Sequence, residues 1–332
     1  MHGWIILDKP LGLGSTQGVS AVKRALRDGG YGKFKVGHGG TLDPLATGVL
    51  PIAVGEATKL AGRMLDSDKI YDFTVRFGER TDTLDAEGSV VATSNVRPDP
   101  GSIAAVLPRF TGLIEQVPPA YSALKVDGER AYDLARAGAV VELATRAVTV
   151  HHLEHLPGTG RGTASRRLVV EGCLNEAQRL RPNPSTGFAG PPPRSGEVLE
   201  TATFTAHVSK GTYIRSLARD IAHALGTVGH VTMLRRVKAG PFGADQAISL
   251  DNLADAAKAR SLEDLILPLR AGLDDIPALP LTPDQAGALG QGRVLVGIAA
   301  NDGQYFALNG MTPVALVEVT DGNVRVVRGF NL

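Results

Sequence analysis

The stretch from residue 37 to residue 55, Gly-His-Gly-Gly-Thr-Leu-Asp-Pro-Leu-Ala-Thr-Gly-Val-Leu-Pro-Ile-Ala-Val-Gly, constrains this chain more than any other. Glycines and His38 lead to Asp43, and the Pro44 that follows biases Asp43 toward extended or turn backbone. The apolar run Val49 to Val54 comes next, as a buried strand would. The pattern predicts a stiff loop-to-strand corner that presents one carboxylate from a rigid support. An isolated Asp-Pro is ordinarily a turn whose carboxylate bonds nearby amides. What sets this one apart is the length of ordered sequence around it.

At 332 residues the chain has room for one large and one small domain with ample core. An apolar content of 43% and a charged content of 21% are those of an ordinary soluble globular protein. The net charge of +1 names no partner, but the charges are unevenly spread. Lys210, Arg215, Arg219, Arg235, Arg236 and Lys238 face only Asp220 between residues 210 and 240, whereas acids prevail from Asp245 to Gln285. A neutral total thus conceals a basic region of the kind nucleic-acid binders carry. Cys173 is the only cysteine, which excludes an internal disulfide and a Cys-based zinc site. The apolar run Trp4 to Leu7 is too short for a signal-peptide core, and no run approaches a membrane span, so a cytoplasmic location is expected.

The chain opens with a predicted strand, Trp4 to Leu7, a turn over Asp8 to Gly14, and a helix capped by Ser15 or Thr16 with Val19, Val22 and Leu26 at helical spacing. Neither a dinucleotide-binding glycine pattern nor a Walker lysine is present, which argues against a nucleotide cofactor. A short helix is predicted over Ala57 to Leu65 and an alternating strand over Lys69 to Phe77. The loop after it carries Asp82, Asp85 and Glu87 without calcium-loop spacing. Residues 101–146 read as an ordered arm with two helical stretches around Gln116 to Tyr132. Between about 155 and 197, Gly, Pro and six arginines (161, 166, 167, 179, 181, 194) predict a long basic insertion joining strands Ala147 to Leu153 and Val198 to Val208. His151, His152 and His155 fall in strand-like sequence, and no metal site is expected of them. From Val208 to Ile221 a strand passes into a helix with Ile214, Leu217, Ala218 and Ile221 inward, and Arg215 in its first turns. Pro277, Pro280 and Pro283 mark a linker over Asp274 to Pro283. Beyond it, Arg293 to Ile298, Tyr305 to Leu308, Pro313 to Val319 and Val324 to Phe330 predict a small β domain.

Together, the Asp43 string, Lys9-Pro10-Leu11-Gly12, the segment bearing Tyr71 and Asp85, and Ser209-Lys210-Gly211-Thr212-Tyr213-Ile214-Arg215 resemble the motifs of the TruB family of RNA pseudouridine synthases. The resemblance covers nearly the whole chain apart from the 155–197 insertion. It implies an α+β fold, a mixed, largely antiparallel sheet flanked by helices, over residues 1–273, and a small all-β PUA-like RNA-binding domain over 274–332. The 101–146 arm becomes an RNA-gripping insertion. The implied catalytic residues are Asp43 as nucleophile, Tyr71 against the base, and Arg215. Asp85 becomes the structural partner of that arginine, Leu234 an apolar wall, and His38 a wedge in the space left by a flipped base. Lys9, Lys125, Lys210, Arg235 and Arg236 are expected at RNA phosphates. The implied substrate is the T arm of tRNA, with the uridine at position 55 converted to pseudouridine by a monomer that needs no cofactor, metal or obligatory protein partner. Gly39 departs from the family, which usually has Thr there.

A carboxylate that must stay ionised while partly buried needs a cation beside it. An Asp43–Arg215 ion pair is therefore predicted. Two rivals stand beside this reading. One is a tRNA-folding chaperone of the same fold in which catalysis is secondary; Asp43, Tyr71 and Arg215 together argue against a purely non-catalytic role but leave room for both activities. A hydrolase using Asp43 and His38 would need a second carboxylate or an activated serine, and no Gly-x-Ser-x-Gly occurs.

Overall fold

In a computed structural model of the chain, the described residues are 1–122, 124–126, 128–137, 139, 143–157 and 198–332. From residue 158 to its end, the predicted basic insertion lies outside them.

One mixed sheet forms the body of the molecule. Its strands are β1 (Gly3–Lys9), β2 (Val36–His38), β3 (Ala46–Val54), β4 (Lys69–Phe77), β5 (Gly112–Gln116), β6 (Arg146–Leu156), β7 (Thr201–Val208), β8 (Gly229–Ala239) and β9 (Leu267–Pro268). The order across the sheet is β9-β1-β3-β8-β4-β7-β6-β5, with β2 on β3 and the short strand Phe242–Gly243 on β8. Neighbours are antiparallel except β3 and β8, where Leu234, Arg235 and Arg236 run parallel to Ala46, Thr47 and Gly48. That pairing seats the end of the Asp43 loop in the middle of the sheet. The 101–146 arm is partly woven in as well, since β5 forms the far edge strand, and among the described residues the helix Ala131–Arg136 and a short hairpin follow it.

The longer helices pack on one face of the sheet, where their apolar stripes meet it, while the turns around Leu60 and Leu269 and the carboxy-terminal sheet cover the other. In α1 (Ser15–Asp28), Val19, Val22 and Leu26 pack with Ile5, Leu7, Leu50 and Ile52, and the later helix Leu250–Ala259 closes the same layer through Leu253 and Ala257. The cap of α1 differs from expectation. Gly14 stands at the N-cap with its N–H donated to Gln17 Oε1, while the Ser15 hydroxyl is diverted to Leu42. Helix α2 (Ile214–Ala224) lays Leu217, Ala218 and Ile221 on Phe73, Val75, Phe204 and Val231. The predicted 57–65 helix is a 3-10 turn, Gly55–Leu60, running into Ala61–Asp66.

The carboxy-terminal sheet runs β10 (Ala278–Leu281), β11 (Gly303–Asn309), β12 (Thr312–Thr320), β13 (Asn323–Gly329). The proline-marked segment is therefore no free linker. Residues 278–281 pair with β11 as an edge strand, the place where Pro280 is tolerated, and Thr282 caps the helix Pro283–Gly290. The strand expected at 293–298 is absent. Gly292 and Gly297 adopt φ of +76° and +75°, which breaks extension, and only Leu295 bridges to Val324. This sheet is fastened to the body: Leu316 and Phe330 share a core with Trp4, Ile6 and Val49, and Arg63 donates to Asp275 at 2.8 Å.

Gly48 makes the parallel junction possible. Its φ is +98°, and a Cβ there would lie 2.2 Å from the Arg236 carbonyl oxygen. Gly48→Ala is expected to destabilise the protein by at least the ~1–3 kcal/mol of such backbone strain, read as a lower midpoint in denaturant.

Candidate active site

The loop before β3 has no regular structure, so its backbone must find partners elsewhere. It finds them residue by residue. Arg236 donates to the carbonyls of Gly40 (3.1 Å) and Thr41 (3.3 Å), and its Nε to Val49. The Ser15 hydroxyl donates to the Leu42 carbonyl and accepts the Leu42 N–H. The Asp43 carbonyl accepts the Ala46 N–H, closing a turn with Pro44 at its second position. The Pro44 carbonyl takes Gly12 N–H and Lys9 Nζ. Five successive carbonyls, Gly40 to Pro44, are thus engaged.

This fixed backbone presents the Asp43 carboxylate to Arg215, whose Nη2 lies 2.8 Å from Oδ2. The same guanidinium reaches the Tyr121 carbonyl (3.0 Å), the Thr83 carbonyl (3.0 Å) and Asp85 Oδ2 (3.1 Å). Asp85 is itself held by Thr83 Oγ1 at 2.5 Å and by the Glu87 N–H. Leu84 between them has φ of +63°, an uncommon backbone state for a leucine, stabilised where its carbonyl accepts Val231 N–H from β8. The side chains of Arg215 and Asp85 are 8% and 11% exposed, that of Asp43 46%. One carboxylate is structural and the other is open to a ligand.

A cleft of about 360 Å³ opens over Asp43, within the ~300–1,000 Å³ usual for small-molecule sites. Tyr71, Leu234 and Lys69 line it from the sheet, Ser122 and Leu124 from the arm, and Val208, Ser209 and Gly211 to Arg215 from the β7–α2 connection. Asp43, Arg215, Tyr71 and Leu234, named from sequence at far-apart positions, thus border one cavity, and Asp85 sits behind the arginine.

Several of the expected phosphate-binding cations are placed otherwise. Lys9 is fully buried, with Nζ donating to the carbonyls of Pro10, Leu13 and Pro44. Burial pushes its ammonium down to about 8, against the attraction of Asp43. Arg236 is 1% exposed and committed to the loop carbonyls. Neither can meet a phosphate; the loop takes them because its buried carbonyls need donors. Arg235 forms a double hydrogen bond to Asp8, 2.9 Å in each arm. Lys210 remains exposed, with a surface pair to Asp66. Lys125 lies on the short hairpin strand Lys125–Val126, and its side chain is not among those described. His38 sits on β2 opposite Ile52, apart from the residues lining the cleft. Its Nδ1 is buried without a hydrogen-bond partner among the described residues, and burial together with the Arg236 charge holds the imidazole below its usual pKa.

Sequence reasoning missed Ser15 and Lys69. Lys69 is 7% exposed, donates to the carbonyls of Leu65 and Ser67, and is pushed down to about 8 by burial and then by Arg236. As a charged first residue of a strand it gave no signal of its own. Gly39 has a local reason: a Cβ there would lie 2.6 Å from Met64 Cβ, so Met64 fills the space a larger residue would take.

The fold has relatives among solved structures. The chain aligns over 99% of its length, at 22% identity and a TM-score of 0.67, with 85% of a chain in "Structure of H/ACA RNP bound to a substrate RNA containing 2'-deoxyuridine". It aligns at 22% identity and 0.65 with 86% of a chain in "Crystal structure of the archaeal box H/ACA sRNP Nop10-Cbf5 complex". The architecture is the pseudouridine synthase fold with a C-terminal sheet of PUA-like form. Residues 27–171 match the TruB family pseudouridylate synthase N terminal domain, and residues 215–274 the tRNA pseudouridylate synthase B C-terminal domain. The chain is 61% identical over its full length to 98% of the tRNA pseudouridine synthase B of Novosphingobium aromaticivorans, and 53% identical to 96% of that of Zymomonas mobilis. It belongs to the TruB family of pseudouridylate synthases. Among the described residues no helix is long and apolar enough to cross a membrane.

Two outcomes follow from this geometry. Asp85→Ala leaves the buried Arg215 charge short of its structural partner, and is expected to cost ~3–5 kcal/mol of stability in chemical denaturation. For Lys69, the unfolded chain holds its proton to the ordinary pKa of 10.5 while the folded one releases it near 8. Between these values the unfolded state binds more protons, so folding stability rises with pH. Wild type measured against Lys69→Met should accordingly gain relative stability as pH rises from 8 toward 10.5, and lose it on return.

Proposed function

We propose that the chain isomerises uridine 55 in the T loop of tRNA to pseudouridine, with Asp43 as the nucleophile. The observation that carries this reading is the half-exposed Asp43 carboxylate held at Oδ2 by the buried Arg215, on a loop whose every carbonyl from Gly40 to Pro44 is engaged. Family membership and relatives named tRNA pseudouridine synthase B support the reaction and the class of RNA.

In the reaction the N1–C1′ bond of the uridine breaks, a C5–C1′ bond forms, the proton on C5 leaves and N1 takes one up. Atoms balance within the substrate, so no cofactor or co-reactant is required. The Asp43 carboxylate serves whether it first attacks the sugar carbon or the pyrimidine ring, and Arg215 leaves Oδ1 as the oxygen that meets the substrate. Tyr71 stacks on the extracted base across the cleft from the loop. Arg215, Lys69, Lys9 and Arg236 crowd positive charge around the cleft floor, which favours both an ionised nucleophile and a polyanionic substrate. Lys210 at the rim and Lys125 on the arm are the cations assigned to the RNA backbone. His38 is the group assigned to the space left by the flipped nucleotide. The enzyme acts as a cytoplasmic monomer.

The test is tritium release from unmodified tRNA carrying 5-tritiated uridine. Asp43→Asn, which keeps the shape of the side chain and removes its charge, is expected to lower turnover by ~10³-fold or more, the scale on which loss of a nucleophile acts, while tRNA binding persists. Retained turnover in that variant overturns the assignment, and release from a position other than 55 overturns the proposed site.

A further inference from the structure

A second cluster of chemically capable side chains lies beside the cleft wall and takes no part in the reaction described above. Asp68 immediately precedes β4, His151 lies in β6 and His207 in β7, and one ligand atom from each falls within 4.8 Å of the other two. Asp68 Oδ2 stands 3.2 Å from His151 Nε2 and 3.6 Å from His207 Nε2, with the two imidazole centroids 4.7 Å apart. Ligand atoms held ~2.0–2.1 Å from a tetrahedral ion are ~3.3 Å from one another, so small side-chain adjustments suffice to admit an ion between them.

The strand register shows how the two histidines come together. Val150 pairs with Val208 and His152 with His207, which makes His151 the extra residue of a β-bulge. Two residues of β6 then oppose one of β7, and a bulge of this kind re-aims a side chain. His151 turns to Asp68, while His152 turns to Glu154 at 3.4 Å.

We propose that Asp68, His151 and His207 bind one divalent transition-metal ion of zinc type. Two imidazoles and one carboxylate suit that class of ion, and the partial exposure of all three side chains leaves the remaining positions to water. The ion joins three strands at a chosen place: Asp68 precedes Lys69 and His207 precedes Val208, and both of these line the cleft. Metal bound there ties the sheet side of the cleft wall to the strand pair that flanks the basic insertion.

The experiment is calorimetric titration of the full chain, without affinity-tag histidines and after treatment with chelator, with Zn²⁺, alongside the visible absorption of the Co²⁺-loaded protein. One ion per chain is expected. His151→Gln and His207→Gln should each weaken binding at least tenfold and remove the cobalt d–d band, whereas His152→Gln should leave both unchanged. Asp68→Asn provides a further arm that keeps both imidazoles. Circular dichroism of the metal-free variants is expected to match wild type, since all three side chains are at the surface. Absence of zinc binding by the wild-type chain, equal binding by the His151 and His207 variants, or loss confined to the His152 variant would overturn the proposal.

Discussion

The buried guanidinium of Arg215 is the point on which this architecture turns. It gathers two carboxylates and two carbonyls from three separate segments: the Asp43 loop, the Thr83–Asp85 turn and the arm at Tyr121. Taking such a cation out of water is costly unless its donors are met. Here four hydrogen bonds meet them, and Asp85, itself buried, supplies the permanent counter-charge. Asp43 then completes the set without being needed to neutralise the arginine alone. That division lets one carboxylate remain half open to the cleft while the other holds the cation in place.

Two carboxylates against one guanidinium leave an excess of negative charge, and the surroundings offset it with cations of an unusual kind. Lys9, Lys69 and Arg236 are all buried, and each donates to backbone carbonyls rather than to an acid. They do two things at once. Their hydrogen bonds satisfy loop and turn carbonyls that no helix or sheet ladder could reach, and burial, with the Arg236 charge behind it, holds the Lys9 and Lys69 ammonium groups below their usual pKa. A loop made rigid by buried cations is also a loop with a positive underside, which is the field an anionic nucleophile and a phosphate-rich ligand both favour.

Much of this was legible in the chain itself. The Asp43 corner, the alternating strand Lys69–Phe77 and the strand-to-helix passage at Arg215 appear where their periodicity and glycines place them. The need to keep a partly buried carboxylate charged called for a cation beside Asp43, and the family resemblance pointed to Arg215 as that cation. What stayed hidden depends on neighbours distant in sequence. Lys9 and Arg236 read as phosphate ligands because a basic residue in a polar segment is ordinarily exposed; nothing local reveals that the carbonyls of Gly40, Thr41 and Pro44 converge on them. Ser15 read as a helix cap for the same reason, although its hydroxyl is spent on Leu42. Residues 293–298 looked like a strand because of the apolar, β-branched run Val294-Leu295-Val296, and the left-handed backbone of Gly292 and Gly297 overrules it. The proline-marked segment read as a linker because an edge strand, where proline is permitted, cannot be told from a loop before its partner is known.

The arm at residues 101–146 enters the site by more than its charge. Its edge strand β5 is hydrogen-bonded into the sheet, Gln116 Oε1 accepts the N–H of Tyr213 just ahead of α2, and the Val117 carbonyl accepts from Ser216 and Arg219. The Tyr121 carbonyl then reaches Arg215 directly, while Ser122 and Leu124 wall the cleft. A ligand that presses on the arm therefore acts on the same helix turn that orients the arginine, and the arm cannot swing away without surrendering one of the four acceptors that make a buried guanidinium tolerable. Because that penalty falls on Arg215, and Arg215 holds Oδ2 of Asp43, the seating of the arm against the cleft and the orientation of the open carboxylate depend on the same side chain.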